Sequence, residues 1–449
     1  MFRRILALVA TLAVGAGVVL SVKFPTLQVG QSALPQEVSV QPKQPTLVCP
    51  GPVFVNGGQN GVTIGSFTQS GSVNIAGVDG AVTVGQTANS EVTIHGTANG
   101  SKNFNALQVQ STNQKLAFGL SAANCVTGTN SAWLVAGDNS VGREALLVLA
   151  NPSSVDATVS LQLYGTSGPI QGSGLSGISA PAGKVTVLPL AAFAPKTETF
   201  SVLVNSRGAT LGIWLQQKTI RGLTPGGLDL IGVSAEPSKQ VVIPGVFLRN
   251  VGSLEQLAVG DQDFADTKPI LRVTAPGNKA ANFTAQIQGA DGSSFGNVLQ
   301  GVVPAGSTRD FSIEDLTDGN YSVTINSDEP VLGAVRFSRL SGSNPDFAWA
   351  QSVGPEKLDA GFTALPGTTS KLSVVNPLGK KVNVTLNGKL FSVEANSSVV
   401  IALTAGRHYS ISSNQRVAAS QVVDVKGGVA VVPVIDFQSV GGTLKVTVR

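Results

Sequence analysis

Charge is scarce in this chain: charged residues fill 12% of 449 positions, against 42% hydrophobic. Soluble domains carry about twice that share of charge, and disorder needs low hydrophobicity with high charge. The chain therefore folds, and its polar surface comes mainly from uncharged residues. A formal charge of +4 without a basic run excludes the clustered Lys/Arg face of a nucleic-acid binder. Two histidines, His95 and His408, leave little material for a His-based triad. No G-x-S-x-G elbow occurs, nor a phosphate-binding glycine loop. Gly172, Gly174 and Gly177 approach a dinucleotide fingerprint, but they lie between strand-like segments and read as a hairpin. Carboxylates cluster at Asp261, Asp263 and Asp266, and again at Glu314, Asp315 and Asp318. The first set lacks the glycine and distal glutamate of a calcium loop, so both read as loops. These absences point away from an enzyme and away from any cofactor or metal. Aromatics are few as well, at 5%, which is poor for a glycan reader. Trp214 sits in an apolar strand and reads as core. Trp133 and Trp349 fall at module junctions, where they serve either packing between modules or ligand stacking.

What the sequence does contain is turn chemistry and alternation. Its 52 glycines punctuate many short strand-like runs, the pattern of an all-β chain. The N-terminus differs. Arg3 and Arg4 precede a stretch without charge from Ile5 to Val22, just long enough to span a bilayer. No small-x-small site follows it. Residues 1–23 therefore read as a cytoplasmic tip and an uncleaved signal anchor, with residues 24–449 extracytoplasmic; cleavage would make the same chain secreted. Residues 24–46 hold Pro25, Pro35, Pro42 and Pro45, which favours an extended spacer. In an oxidising compartment Cys49 and Cys125, the two cysteines, read as one disulfide.

An internal repeat organises the rest. Its first strand ends at proline in all copies: Leu147–Pro152, Leu271–Pro276 and Leu372–Pro377. Proline cannot donate to a ladder and holds its predecessor extended, so each pair ends a strand. Alternating strands follow at Val159–Gly165, Phe283–Gly289 and Val382–Gly388, the pattern of a sheet buried on one side. Each copy then has an aromatic-led strand from Phe200, Tyr321 or Tyr409. Asn205, Asn326 and Asn414 follow where a hairpin turn is expected. A repeat of about a hundred residues exceeds solenoid periods and fits tandem immunoglobulin-like β-sandwiches. The expected modules are 131–240, 241–355 and a shortened 356–449. Residues 47–130 form a disulfide-closed β module, read as a small sandwich or a short solenoid from strands at Val62–Ile64, Val73–Ile75, Val82–Val84 and Val92–Ile94. No segment after the anchor shows a convincing helical period.

Several motifs together resemble an actinobacterial family of exported proteins, domain-of-unknown-function family 5719. They are Cys49-Pro50-Gly51-Pro52, Cys125 ahead of Ser131-Ala132-Trp133, Leu147–Pro152, Pro244-Gly245-Val246 and Asp346-Phe347-Ala348-Trp349-Ala350. Where that family often has bulkier aromatics near Trp133, this chain has Leu134 and Val135. The family has no assigned activity, so the resemblance supplies no catalytic residue. It implies an envelope setting beside a membrane glycosyltransferase. The functional expectation is a rod of β modules, membrane-held through residues 5–22, that scaffolds or docks a glycosyltransferase-like envelope partner. A cell-surface protein binding cell-wall glycan is the alternative.

Overall fold

The computed structural model describes residues 36–40, 46–56, 67–77, 92–95, 105–114, 117–290, 297–342, 344–435 and 442–446. The apolar segment 5–22 lies outside them, and no described helix is long and apolar enough to cross a membrane. The chain divides into two compact units. In the smaller, β1 (Gln36–Val40) pairs antiparallel with Gly442–Val446. Part of the stretch read as a spacer is thus a strand, since no proline falls between Pro35 and Pro42 to remove a ladder donor. The larger unit runs from Gln44 to Ser439.

The larger unit opens with β2 (Thr46–Cys49), β3 (Phe54–Asn56), β4 (Phe67–Gln69), β5 (Asn74–Ala76), β6 (Val92–His95), β7 (Leu107–Gln114) and β8 (Ala117–Asn124). Strands β5, β7 and β8 make one sheet; β2 pairs with β6 and β3 with β4. Cys49 and Cys125 are joined by the expected disulfide, fully buried. Of the strands expected here, β5 and β6 are seen, while 62–64 and 82–84 lie outside the described residues.

Three two-sheet modules follow, all with one strand order. The first contains β9 (Ser131–Leu134), β10 (Arg143–Asn151), β11 (Ala157–Gly165), β12 (Gly168–Ile170), β13 (Ile178–Ala180), β14 (Lys184–Pro189), β15 (Phe200–Arg207), β16 (Gly212–Arg221) and β17 (Thr224–Ile231). Its outer sheet is β12–β11–β15–β9, with β13 also on β11; its inner sheet is β14–β10–β16–β17. The second has β18 (Ser238–Leu248), β19 (Ile270–Ala275), β20 (Ala281–Gly289), β21 (Asn297–Val303), β22 (Ser307–Ser312), β23 (Gly319–Ser341) and β24 (Asn344–Gln351). The third has β25 (Asp359–Thr363), β26 (Thr369–Asn376), β27 (Val382–Leu386), β28 (Lys389–Val393), β29 (Ser397–Leu403), β30 (His408–Ser413), β31 (Ala418–Val425) and β32 (Gly428–Pro433). Its sheets, β28–β27–β30–β25 and β29–β26–β31–β32, repeat those of the first. In the second, the N-terminal half of β23 pairs with β18 and β20, while its C-terminal half pairs with β19 and β24. This order departs from the constant-domain antibody arrangement, because the first strand of each module lies beside its aromatic-led strand.

Two expectations fail here. Asn205 and Asn326 sit inside β15 and β23, and Asn414 just beyond β30. The chain makes no hairpin there but crosses from outer to inner sheet. A helix, α1 (Val251–Gly260), also appears. It buries only Leu254 and Ala258, one turn apart, so Gly252 and Gly260 with so short a stripe hide its period in the sequence. The Asp318 carboxylate accepts from the Asn250 and Val251 N–H groups at its start.

The modules pack on one another and on the N-terminal region through apolar faces. Each sandwich has its own core, as with Leu147, Leu149, Val159, Leu161 and Ile213 in the first. The reverse face of that inner sheet is apolar too: Leu146, Val148, Ala150 and Trp214 pack on Val48, Phe54 and Ala123 of the N-terminal region. Val423, Ala430 and Val432 of the third module likewise cover Leu107, Leu120 and Ala122. Leu332, Ala334, Phe347 and Trp349 of the second join the first module's core. Sheets apolar on both faces cannot stay wet on one, so the inner sheets turn toward one another.

Candidate functional site

The last strand of each module is an edge strand, and an edge presents unpaired N–H and C=O groups. Here β17 packs beside β8 and β24, and β32 beside β8 and β24. One strand from each of four regions thus closes a ring, although each belongs to a different sheet. No ladder joins them, so the N–H groups facing the ring need other acceptors.

Asp346 supplies them. Its carboxylate, fully buried, accepts from Leu120 N of β8 at 2.9 Å, Leu228 N of β17 at 3.0 Å and Val429 N of β32 at 3.1 Å. Each donor directly follows a glycine: Gly119, Gly227 and Gly428. Gly119 and Gly227 have φ of +134° and +118°, and a Cβ on Gly428 would come 2.5 Å from that of Leu120. Side chains at these places would push the strands off the carboxylate. Burial drives the Asp346 carboxyl well above its ordinary range, opposed by the N–H groups of Leu120, Leu228, Val429 and Phe347.

Asp229 returns the contact from β17 to β24. It accepts from Trp349 N at 2.7 Å and from its neighbour Leu230 N at 2.8 Å. Burial raises it to about 7, against the pull of those two N–H groups and Arg336. The Trp349 indole donates to Gln217 Oε1 at 3.0 Å, and the Arg272 guanidinium lies 4.7 Å from its ring centre. Arg272 clasps both Asp310 oxygens at 2.7 Å and donates to the carbonyls of Gly137 and Phe200 in the first module. Trp349 is therefore wholly inside the junction between the first two modules, with 2% of its surface exposed.

The acidic clusters are likewise structural. Asp261 accepts from Asp263 N to start a short 3-10 helix. Asp266 turns inward, and its side chain meets Arg221 at 2.5 Å, Arg143 at 2.9 Å and Arg336 at 3.1 Å. Burial works against its ionisation, yet the three guanidiniums prevail and hold it at about 2. The loop expected to be solvated thus pins module one to module two. Among the described residues no group of His, Cys, Asp and Glu is arranged to hold a metal ion. His408, exposed at the start of β30, contacts Thr363 Oγ1 of the neighbouring β25 through Nδ1 at 3.0 Å; the His95 side chain lies outside the described residues. Trp133 is 5% exposed and tilts against Tyr164, their ring centres 5.3 Å apart. The pair borders a cavity of about 270 Å³ with Asn278, Lys279 and Glu329 on its rim. The structure does not bring Trp133 and Trp349 to one site.

Buried glutamines extend the pattern of Asp346. Gln216 clamps Phe54 through both its N–H and its C=O, at 2.8 and 2.7 Å. Gln108 does the same for Gly51, at 2.9 and 2.5 Å. Sequence reasoning passed over these residues because a polar residue alternating with apolar ones reads as solvent-facing. The available signal was a lone carboxylate inside an apolar strand, as in Leu228-Asp229-Leu230 and Pro345-Asp346-Phe347, where an unpaired charge is costly.

No curated protein matches the chain. The crystal structure of Thermotoga maritima 1070 is similar over 26% of this chain and 96% of its own, at 11% identity and a TM-score of 0.22. The BSP domain of a biofilm associated protein is similar over 81% of this chain and 66% of its own, at 11% identity and a TM-score of 0.10. Neither likeness at that score bears on the fold. The sequence pattern of a family of unknown function matches residues 82–412, which takes in most of the three modules and three strands of the ring, β8, β17 and β24, with β32 beyond it. The chain belongs to that family, DUF5719.

Proposed function

We propose that the chain is a non-catalytic scaffold or docking protein of the bacterial cell envelope. Residues 5–22 hold it at the membrane and residues 24–449 lie on the extracytoplasmic side. Its modules belong to the immunoglobulin-like kind in the broad sense of two packed antiparallel sheets. One observation carries the reading. The groups a catalytic site would draw on, namely Asp229, Asp266, Asp346 and the arginines around them, are committed to holding modules together. A carboxylate so committed does not meet substrate, so the surface rather than a cleft is what the chain offers a partner. Crosslinking in membranes followed by identification of the captured protein tests this. A reproducible envelope partner, such as a glycosyltransferase, is the expected result; repeated isolation of the chain alone would count against it.

A carbohydrate-binding role is the second reading, supported by the rim of Asn278, Lys279 and Glu329 beside Trp133 and Tyr164. It predicts that Trp133→Ala weakens retention on purified cell-wall glycan. No retention across several polymers would end it.

A further inference from the structure

Two connectors join the modules, 232–237 between β17 and β18 and 352–358 between β24 and β25. With the ends of β8 and β32 they wall an open-mouthed cavity of about 510 Å³. Small-molecule sites span roughly 300–1,000 Å³, so the space is of ligand size. Its wall is aliphatic, with Val126, Ile213, Val233, Val353 and Val431 prominent.

Several uncharged polar groups of this wall are bonded to one another or to backbone. Ser234 Oγ and Ser352 Oγ are hydrogen-bonded at 2.6 Å. Asn124 donates its side-chain amide to the Pro433 carbonyl at 2.7 Å, and its own carbonyl accepts from Trp214 Nε1 at 3.2 Å. Nothing in that set asks a ligand for a hydrogen bond, and an apolar wall holds water poorly. Trp214 is the one aromatic in the wall and is 1% exposed, which leaves almost no ring face for stacking. The charged side chains of the lining are Glu236 and Glu356, a pair that disfavours an anionic head.

Gly232 lines this space, yet its backbone is not in the left-handed region and a Cβ there would meet no atom within 4 Å. At Gly354 the nearest atom would be 3.9 Å away. Neither local strain nor close packing demands glycine at these places. A side chain at either lining position has open space to occupy.

We propose that this cavity binds the hydrocarbon chain of an uncharged single-chain amphiphile, taken between the module connectors. The inference goes beyond the scaffold reading and stands or falls separately from it.

The test uses the purified full chain and a diazirine-bearing monoacylglycerol, photolysed and mapped by peptide mass spectrometry. Labelling is expected on the connector peptides holding Val233 and Val353 and on the β32 end. Excess unlabelled monopalmitoylglycerol should remove it, while palmitate at equal concentration should compete far less. Gly232→Leu with Gly354→Leu should lower connector labelling about tenfold by filling the space with apolar side chain, with the melting temperature kept. Labelling absent from the connectors, indifferent to monopalmitoylglycerol, or unchanged in a folded double variant would overturn the proposal. Should that variant not fold, the competition on the unaltered chain decides alone.

Discussion

The outer and inner sheets of each sandwich come from the same repeat, yet their surfaces meet different surroundings. Along β11, β20 and β27 buried positions alternate with exposed or half-buried ones. Along β10, β16 and β24 nearly every position is buried. These outer strands obey the rule that one face meets the core and the other meets water, whereas β18 of the second module's outer sheet packs on β26 and β31 and is buried along most of its length. On the inner sheets the second face meets another module, and its polar residues bond to backbone across the junction. A polar residue in an alternating strand therefore has two fates. On β11, β20 or β27 it lies at the surface; on a strand buried at a junction it is the acceptor or donor that lets two unpaired edges be buried together.

The largest break in this comparison should come from Asp346→Ala. It strips the acceptor from three buried N–H groups, each costing about 1–3 kcal/mol when unpaired. Denaturant unfolding should show a loss of roughly 5 kcal/mol and a transition that splits as modules uncouple. Asp346→Asn should fall between, because a carboxamide keeps one acceptor oxygen and turns a donor toward the remaining N–H. Reducing Cys49–Cys125, which closes a separation of 76 residues, should cost about 4 kcal/mol in the chain-entropy account. Its effect should appear as lower stability of the β7–β8 sheet in proteolysis.

The pH dependence sharpens the picture. Asp229 titrates near 7 when folded and near 4 when unfolded. Between those values the folded chain binds the extra proton, so stability should fall as pH rises from about 4 to about 7 and level off above. Asp346, also raised, adds a slope of the same sign, and Asp229→Asn should flatten the profile in that window. Asp266, held at about 2, acts oppositely: its contribution should be lost as pH falls from about 4 toward 2. Thermal melting across pH measures both. The smallest effects form a matched pair. Gln216→Ala, on an inner strand, should cost about 2 kcal/mol for the two unpaired Phe54 groups. Gln286→Ala, on the exposed face of β20, should stay within about 0.5 kcal/mol.

Much of the fold was legible because the repeat is local. Asn151-Pro152 and Asn376-Pro377 end β10 and β26 where proline must stop a ladder, and Phe200, Tyr321 and Tyr409 lead or follow closely the start of equivalent strands. The junction was not legible. Asp346 acts on Leu120 and Val429, far away in sequence, and no local period records that. The motif from Asp346 to Ala350 was visible as part of the family resemblance, but its role depends on which strands the topology brings beside it. Trp214 reads as core and is buried, yet it faces the N-terminal region rather than its own sandwich, a distinction period-2 alternation cannot make.

Amide hydrogen exchange on Asp346→Ala beside the unaltered chain tests the central claim most directly. If one carboxylate ties four strands, protection should fall together around Leu120, Leu228 and Val429, with β11, β20 and β27 unchanged. Protection lost only within β24, or retained at all three distant donors, would contradict the account.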